Sequence, residues 1–176
     1  MVEPPKATRN HVFIVMGVSG VGKTTIARSL AERLDAQFIE ADDYHSDANR
    51  RAMKRGIPLN DEMRLPWLHA LCEAAETARR QGHVVLACSA LKQQYRDLFR
   101  THVGHLKFIF LVAGRDAIAQ RMASRRGHFM PASLLDAQFA NLERPLKNEG
   151  AIVIDAAAPM PTVEDAVEAA AKSVCG

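Results

Sequence analysis

Gly17-Val18-Ser19-Gly20-Val21-Gly22-Lys23-Thr24 is a complete match to the pattern G-x-x-x-x-G-K-[ST], and its neighbours decide what that match means. Residues 11–16, just before it, are a short apolar run rich in β-branched side chains, the pattern of a buried strand. Residues 25–34, just after it, have helical spacing, with Ile26, Leu30 and Leu34 on one face. Strand, glycine loop and helix in that order form a phosphate cradle. Gly17, Gly20 and Gly22 let successive backbone N–H groups turn inward, and the helix start adds its own unpaired N–H groups. Val18, Ser19, Val21 and Thr25 belong to the same cradle through their backbone. Lys23 is expected to bridge the β- and γ-phosphates of a nucleoside triphosphate, and the Thr24 hydroxyl to ligate Mg²⁺.

Working outward, the chain is 176 residues long, the size of one ordinary domain. Its 48% hydrophobic and 24% charged residues are those of a soluble globular protein. A net charge of +3 is compatible with an anionic small molecule but falls far short of the basic stripe of a nucleic-acid binder. No apolar run reaches the ~18–20 residues of a membrane span, and the first residues lack the apolar core of a secretory signal. Cys72, Cys88 and Cys175 are odd in number and widely spaced, which fits reduced thiols in the cytoplasm and argues against a zinc site.

Strand and helix patterns alternate along the rest of the chain. Strands are expected at residues 37–40, 83–88, 106–111 and 151–155. Helices are expected at 43–53, at 61–80 with Asp61 as cap and a bend or late start at Pro66, at 92–100, 116–125 and 132–142. Thr162 is expected to cap a last helix to residue 174. Residues 1–10, with Pro4 and Pro5, read as a flexible lead-in, and 11–176 as a single domain. The fold predicted is α/β with three layers, a five-stranded parallel sheet covered by helices on both faces. Ligands in such folds bind beyond the carboxyl ends of the strands.

That edge carries acids. Glu40, Asp42 and Asp43 follow the second strand directly, with His45 close behind. A carboxylate here can orient a substrate hydroxyl and accept its proton, and a second can hold a Mg²⁺-bound water. The plainer alternative is that Asp42 or Asp43 caps the next helix. The third strand ends in Ala-Cys-Ser with no acid at its tip, which weighs against a GTPase or motor-type ATPase and favours a small kinase.

With these blocks in place, the chain resembles the small P-loop gluconokinases, relatives of the shikimate and nucleoside monophosphate kinases. The resemblance runs through the loop, Asp42 and His45, Asn49, Met53, Gly56, Pro58-Leu59 and Asp61, and Arg64-Leu65-Pro66-Trp67-Leu68. It continues through Cys88-Ser89-Ala90-Leu91-Lys92, Tyr95-Arg96-Asp97, Arg125-Arg126-Gly127-His128-Phe129-Met130, Leu134-Leu135, Gln138-Phe139 and Leu142-Glu143. It implies ATP-dependent phosphorylation of D-gluconate to 6-phospho-D-gluconate, which feeds the pentose phosphate pathway. It also implies a cytoplasmic enzyme, a homodimer, and a mobile lid over residues 121–131.

The same resemblance distributes roles. Lys23 and Asp42 are the catalytic pair, with Asp42 taking the 6-hydroxyl proton, and Arg121 and Arg125 stabilise the transferring phosphoryl group from the lid. Arg121 also belongs to the nucleotide site, whose base is expected between the lid helix and the loop after Asp155. Arg64 grips the gluconate carboxylate, as a guanidinium can do bidentately. His45, Ser89, Ala90, Leu91, Lys92, Arg96 and His128 complete the acceptor site. Trp67 is read as packing, and Thr24 with Glu40, the latter through water, as the Mg²⁺ site. Three positions depart from the family pattern. Glu40-Ala41-Asp42 replaces Asp-Gly-Asp, Ser46 replaces a proline, and Ala52 replaces a lysine. The rival readings are a shikimate-type or nucleoside monophosphate-type kinase and a non-catalytic nucleotide-binding switch. The Pro58–Leu68 and Cys88–Lys92 blocks argue against the first; an acidic turn together with an arginine lid argues against the second.

Overall fold

The protein is represented by a computed structural model that describes residues 9–124 and 132–176. Five strands form one sheet: β1 (Val12–Met16), β2 (Gln37–Glu40), β3 (Val84–Ala87), β4 (Leu106–Val112) and β5 (Ile152–Asp155). All neighbours are parallel, in the order β2-β3-β1-β4-β5. The α/β fold predicted from the alternating patterns is the one observed.

Alternation along β1 explains the three layers. Val12, Ile14 and Met16 point to one face, where they meet Trp67, Leu68, Leu71 and Ala75 of α3 (Asp61–Arg79) and Tyr95 and Phe99 of α4 (Gln93–His102). Phe13 and Val15 point to the other. There they meet Ile26, Ala27 and Leu30 of α1 (Lys23–Leu34), Ile118 of α5 (Arg115–Ser124), Leu135 of α6 (Ala132–Asn141) and Val163 and Val167 of α7 (Met160–Cys175). Burial on both faces is why β1 and β3 read as continuous apolar runs.

Several element edges differ from the sequence expectation, each for a local reason. The helix expected over residues 43–53 is two pieces: a 3-10 turn at Ala41–Tyr44, then α2 (Asp47–Lys54) capped by Ser46, whose hydroxyl accepts the Asn49 N–H at 3.1 Å. Ser46, noted as a departure from the family pattern, is therefore a helix cap. Asn60, not Asp61, caps α3, accepting the Met63 N–H at 2.8 Å. Two adjacent residues could cap, and Asn60 takes the position, which leaves the Asp61 carboxylate free for other partners. Pro66 neither delays nor ends α3, since it lies in the second turn and removes only one intrahelical donor. The last helix begins at Met160 rather than after a Thr162 cap, with Pro159 and Pro161 setting its first turn.

Candidate active site

The phosphate loop leaves the carboxyl end of β1. Gly17 has φ 147°, and a Cβ there would come within 2.8 Å of the Leu111 carbonyl oxygen on β4, so only glycine lets the loop pass this close to the sheet. Gly22, at φ 107°, ends the loop as N-cap of α1 without any side chain capping the helix. No acidic residue stands in the first turn. The N–H groups of Lys23, Thr24 and Thr25 therefore point out of the helix start unclaimed by a side-chain cap, which suits an anion. Val18 and Val21 are buried, anchoring the loop to the core. The Lys23 Nζ donates to the Val18 carbonyl at 3.1 Å, folded back over its own loop. Burial pushes the Lys23 pKa down, while the nearby carboxylates of Asp42 and Glu40 act to raise it. A polyphosphate in the cradle supplies the negative charge that this ammonium needs.

The acidic turn sits opposite. The Thr24 hydroxyl donates to Glu40 Oε2 at 2.7 Å. Two hard oxygen donors brought together beside a phosphate cradle are the donor set that Mg²⁺ takes, so the residues fit the ion expected there. The substitution of Asp by the longer Glu40 is accommodated by this contact. Asp42 lies in the 3-10 turn with its side chain 85% exposed, open to a substrate and close enough to Lys23 to act on its charge. Asp43 contributes only its backbone, its carbonyl accepting from Arg50 at 2.7 Å.

His45 is placed differently from its expected role. Its imidazole is buried and stacks on Trp67, with ring centroids 4.4 Å apart and planes 12° apart. The Trp67 Nε1–H donates to the Ala41 carbonyl at 2.7 Å. Together they buttress the acidic turn from below, and the His45 Nε2 stands 4.0 Å from Asp42 Oδ1. Direct substrate contact by His45 is corrected accordingly. Burial is the main cause that lowers its pKa, so the ring is held toward its neutral form.

Between α3, the β3–α4 turn and α6 lies a cavity of about 210 Å³, bordered by Arg64, Asp61, Ser89, Lys92, Gln138 and Asn141 among others. Drug-sized sites occupy roughly 300–1,000 Å³; this one fits a smaller, polar molecule. The Arg64 Nε donates to the Leu59 carbonyl at 3.2 Å, which aims the guanidinium, and among the described residues its terminal nitrogens have no hydrogen-bond partner. Lys92 donates to both oxygens of Asp61, at 2.8 and 3.0 Å, and Asp61 also accepts from Gln94 and from the Tyr95 hydroxyl. These donors, Lys92 first, hold the Asp61 pKa down to about 2. The charge that Lys92 was expected to offer an acceptor is therefore shared with Asp61. Ala90 occupies the left-handed region at φ 45°, a strained conformation for a residue with a Cβ.

Arg96 explains how that strain is held, and it corrects a second expectation. Its side chain is 0% exposed. Nη1 donates to the carbonyls of Ala90 and Leu91 at 3.0 and 3.1 Å, while Nε and Nη2 donate to Glu149 at 2.7 and 3.0 Å. Arg96 has no face left for substrate; it clamps the turn from beneath. Arg121 divides the two roles given to it. Its guanidinium donates to the carbonyls of Ala156 and Ala158, in the loop after β5 where the nucleotide base is expected. Both bonds hold the guanidinium at that loop; a contact with the transferring phosphoryl group remains what the resemblance implies. Arg125 and His128, with most of the expected lid, lie outside the described residues.

Sequence reading missed Asp61, Gln138 and Asn141 as cavity residues. The adjacent Asn60-Asp61 pair held a signal, because a helix needs only one cap. Gln138 and Asn141, three apart on a helix whose Leu135 and Phe139 face the core, held another. Among the described residues one group of three potential metal ligands lies within reach of a common ion, His11, His83 and Cys175. It sits at the far, amino-terminal edge of the sheet. The Nδ1 of His83 already accepts the His11 N–H at 3.0 Å, which keeps the proton on Nε2 and spends the ring's lone pair.

Fold and site together define a P-loop kinase of small molecules, with a phosphate loop, an acidic turn and a cavity edged by Arg64 and Lys92 on one sheet edge. Residues 12–145 match the AAA domain family. The thermosensitive gluconokinase of Escherichia coli (strain K12) is 46% identical over 142 residues, covering 80% of this chain and 76% of that protein. The gluconokinase of Gluconobacter oxydans (strain 621H) is 47% identical over 154 residues, covering 85% of each. A crystal structure of a gluconokinase from Sinorhizobium meliloti 1021 superposes with a TM-score of 0.86 at 38% identity, over 96% of this chain and 94% of that one. The chain belongs to the gluconokinase family.

Proposed function

We propose that this chain is an ATP-dependent gluconokinase that phosphorylates D-gluconate on its 6-hydroxyl. The observation that carries the reading is the cavity edged by Arg64, Ser89 and Lys92, which adjoins the phosphate loop through the hydrogen bond from Gly17 N–H to the Ser89 carbonyl, 3.3 Å. Gluconate offers one carboxylate and a row of hydroxyls. Arg64 supplies a guanidinium for the carboxylate, and the Ser89 hydroxyl and Gln138 and Asn141 amides supply donors and acceptors for the polyol.

The loop N–H groups and Lys23 hold the triphosphate. Asp42 orients the 6-hydroxyl and accepts its proton as the oxygen attacks phosphorus in line. Thr24 and Glu40 are the residues that would hold Mg²⁺, which would supply positive charge to the phosphate oxygens. Arg121 contacts the nucleotide on its base side, and Arg125 and His128 are assigned to closure over the reacting groups by family resemblance. That resemblance also carries the homodimer and the cytoplasmic location, and among the described residues no helix is long and apolar enough to cross a membrane. Light scattering of the purified chain tests the dimer.

The deciding experiment is a coupled ATPase assay with gluconate, shikimate and nucleoside monophosphates offered separately. Gluconate is expected to be the only efficient acceptor, with product phosphorylated at position 6. Equal or better turnover of another acceptor overturns the substrate assignment. Nucleotide binding without turnover of any acceptor favours a switch instead.

A further inference from the structure

Gln138 touches two sites at once. Its Oε1 accepts the N–H of Ser19, in the middle of the phosphate loop, at 3.3 Å, and its side chain borders the acceptor cavity. A backbone N–H held by a side chain cannot at the same moment take a phosphate oxygen. At 3.3 Å the bond is at the long end for N–H···O, a contact a better acceptor can displace.

The helix beneath Gln138 is well placed to make the exchange count. Leu135 and Phe139 fix α6 to the core, while Gln138 and Asn141 border the cavity. Glu143, two residues past α6, ties that segment to the β3–α4 turn: its N–H donates to the Leu91 carbonyl at 2.9 Å, and its Oε2 accepts the Gln93 N–H at 2.6 Å. Gln138 therefore stands between the phosphate loop and the acceptor cavity, within reach of both.

We infer that Gln138 is a coupling residue that leaves the Ser19 N–H when nucleotide fills the loop and turns its amide to the acceptor's hydroxyls. An amide suits this task, since it is donor and acceptor together and matches a vicinal diol in either sense. Both ligands then favour the same released state of Gln138, so each strengthens binding of the other by the same factor. One exchanged hydrogen bond sets that factor at about two- to tenfold. The inference rests on gluconate being the acceptor.

Calorimetric titrations of the full chain test it, measuring gluconate affinity with and without a non-hydrolysable ATP analogue, and analogue affinity alone. In the unaltered chain gluconate is expected to bind about two- to tenfold tighter when the analogue is present. Gln138→Leu is expected to abolish that gain and to tighten analogue binding alone, because nothing then competes for the Ser19 N–H. Gln138→Glu, which preserves volume, is expected to weaken analogue binding, since a carboxylate holds the N–H harder and repels phosphate. Asn141→Ala borders the cavity without touching the loop; it is expected to weaken gluconate equally with and without nucleotide. Unaltered coupling in Gln138→Leu, or no coupling in the unaltered chain, overturns the inference. Failure of the unaltered chain to bind gluconate instead overturns the acceptor assignment, and the analogue affinities of the two Gln138 variants still decide whether Gln138 guards the loop.

Discussion

Asp42 and Glu40 stand two residues apart on the same turn, and the structure gives them different company. Glu40 accepts from Thr24, while Asp42 is open, with His45 beside its carboxylate and Lys23 close enough to feel its charge. Asp42→Asn keeps the shape but removes the proton acceptor, so kcat is expected to fall about 10²–10⁴-fold, with binding of an ATP analogue unchanged. Equal losses in both would assign Asp42 to the nucleotide instead. For Glu40→Ala the expected change is in metal dependence: the Mg²⁺ concentration giving half-maximal rate rises about 10–100-fold, as for other groups that orient an ion's ligands. A magnesium titration of the steady-state rate checks it. At this scale the sequence was most legible where one backbone pattern permits one chemistry, as in Gly17 to Thr24. It was least legible for long side chains. Arg96 and Arg64 look alike in sequence, both near a helix start, yet one is sealed beneath a turn and the other borders a cavity. What separates them is a distant carboxylate, Glu149, which no local pattern announces.

The β3–α4 turn is the element on which the proposed acceptor site rests, and its conformation is imposed from outside. Ala90 is strained at φ 45°, and the carbonyls on either side of the bend are held by Arg96. Lysine at position 96 would keep the charge but cannot reach two carbonyls and a carboxylate together. Arg96→Lys is therefore expected to raise the gluconate KM more than the ATP KM, as the turn relaxes and Ser89 and Lys92 lose their register. Comparable rises in both constants would point to general loosening rather than to the turn. Helix and strand identities were readable because apolar spacing is a local property. The caps were less so: Asn60 and Asp61, or Pro159 and Thr162, compete within a few residues, and tertiary contacts such as Lys92 with Asp61 select the winner.

Across the whole molecule the polar clamp formed by Arg96, Arg100 and Glu149 joins α4 to the segment that leads into β5, so it ties the acceptor turn to the far side of the sheet. Glu149 accepts from Arg96, from Arg100 at 2.6 Å and from the Leu146 N–H at 2.9 Å, with its side chain 4% exposed. Arg96 is the main cause that draws the Glu149 pKa down from 4.5 to about 2. A carboxylate whose folded pKa lies below its unfolded value stabilises the fold fully above the unfolded pKa and loses that contribution as pH falls toward the folded one. Stability is thus expected to be level near neutrality and to drop between about pH 5 and pH 2. Glu149→Gln should lower stability at pH 7 by about 3–5 kcal/mol, because it leaves the buried Arg96 guanidinium without its carboxylate, and should flatten the acid slope. The slope that remains belongs to the other carboxylates held low, among them Asp61 and Glu76, which are held near 2 by Lys92 and Arg79. Urea midpoints measured from pH 7 down to pH 3 separate the two chains: converging curves at low pH support the clamp, and parallel curves mean that Glu149 does not titrate with folding.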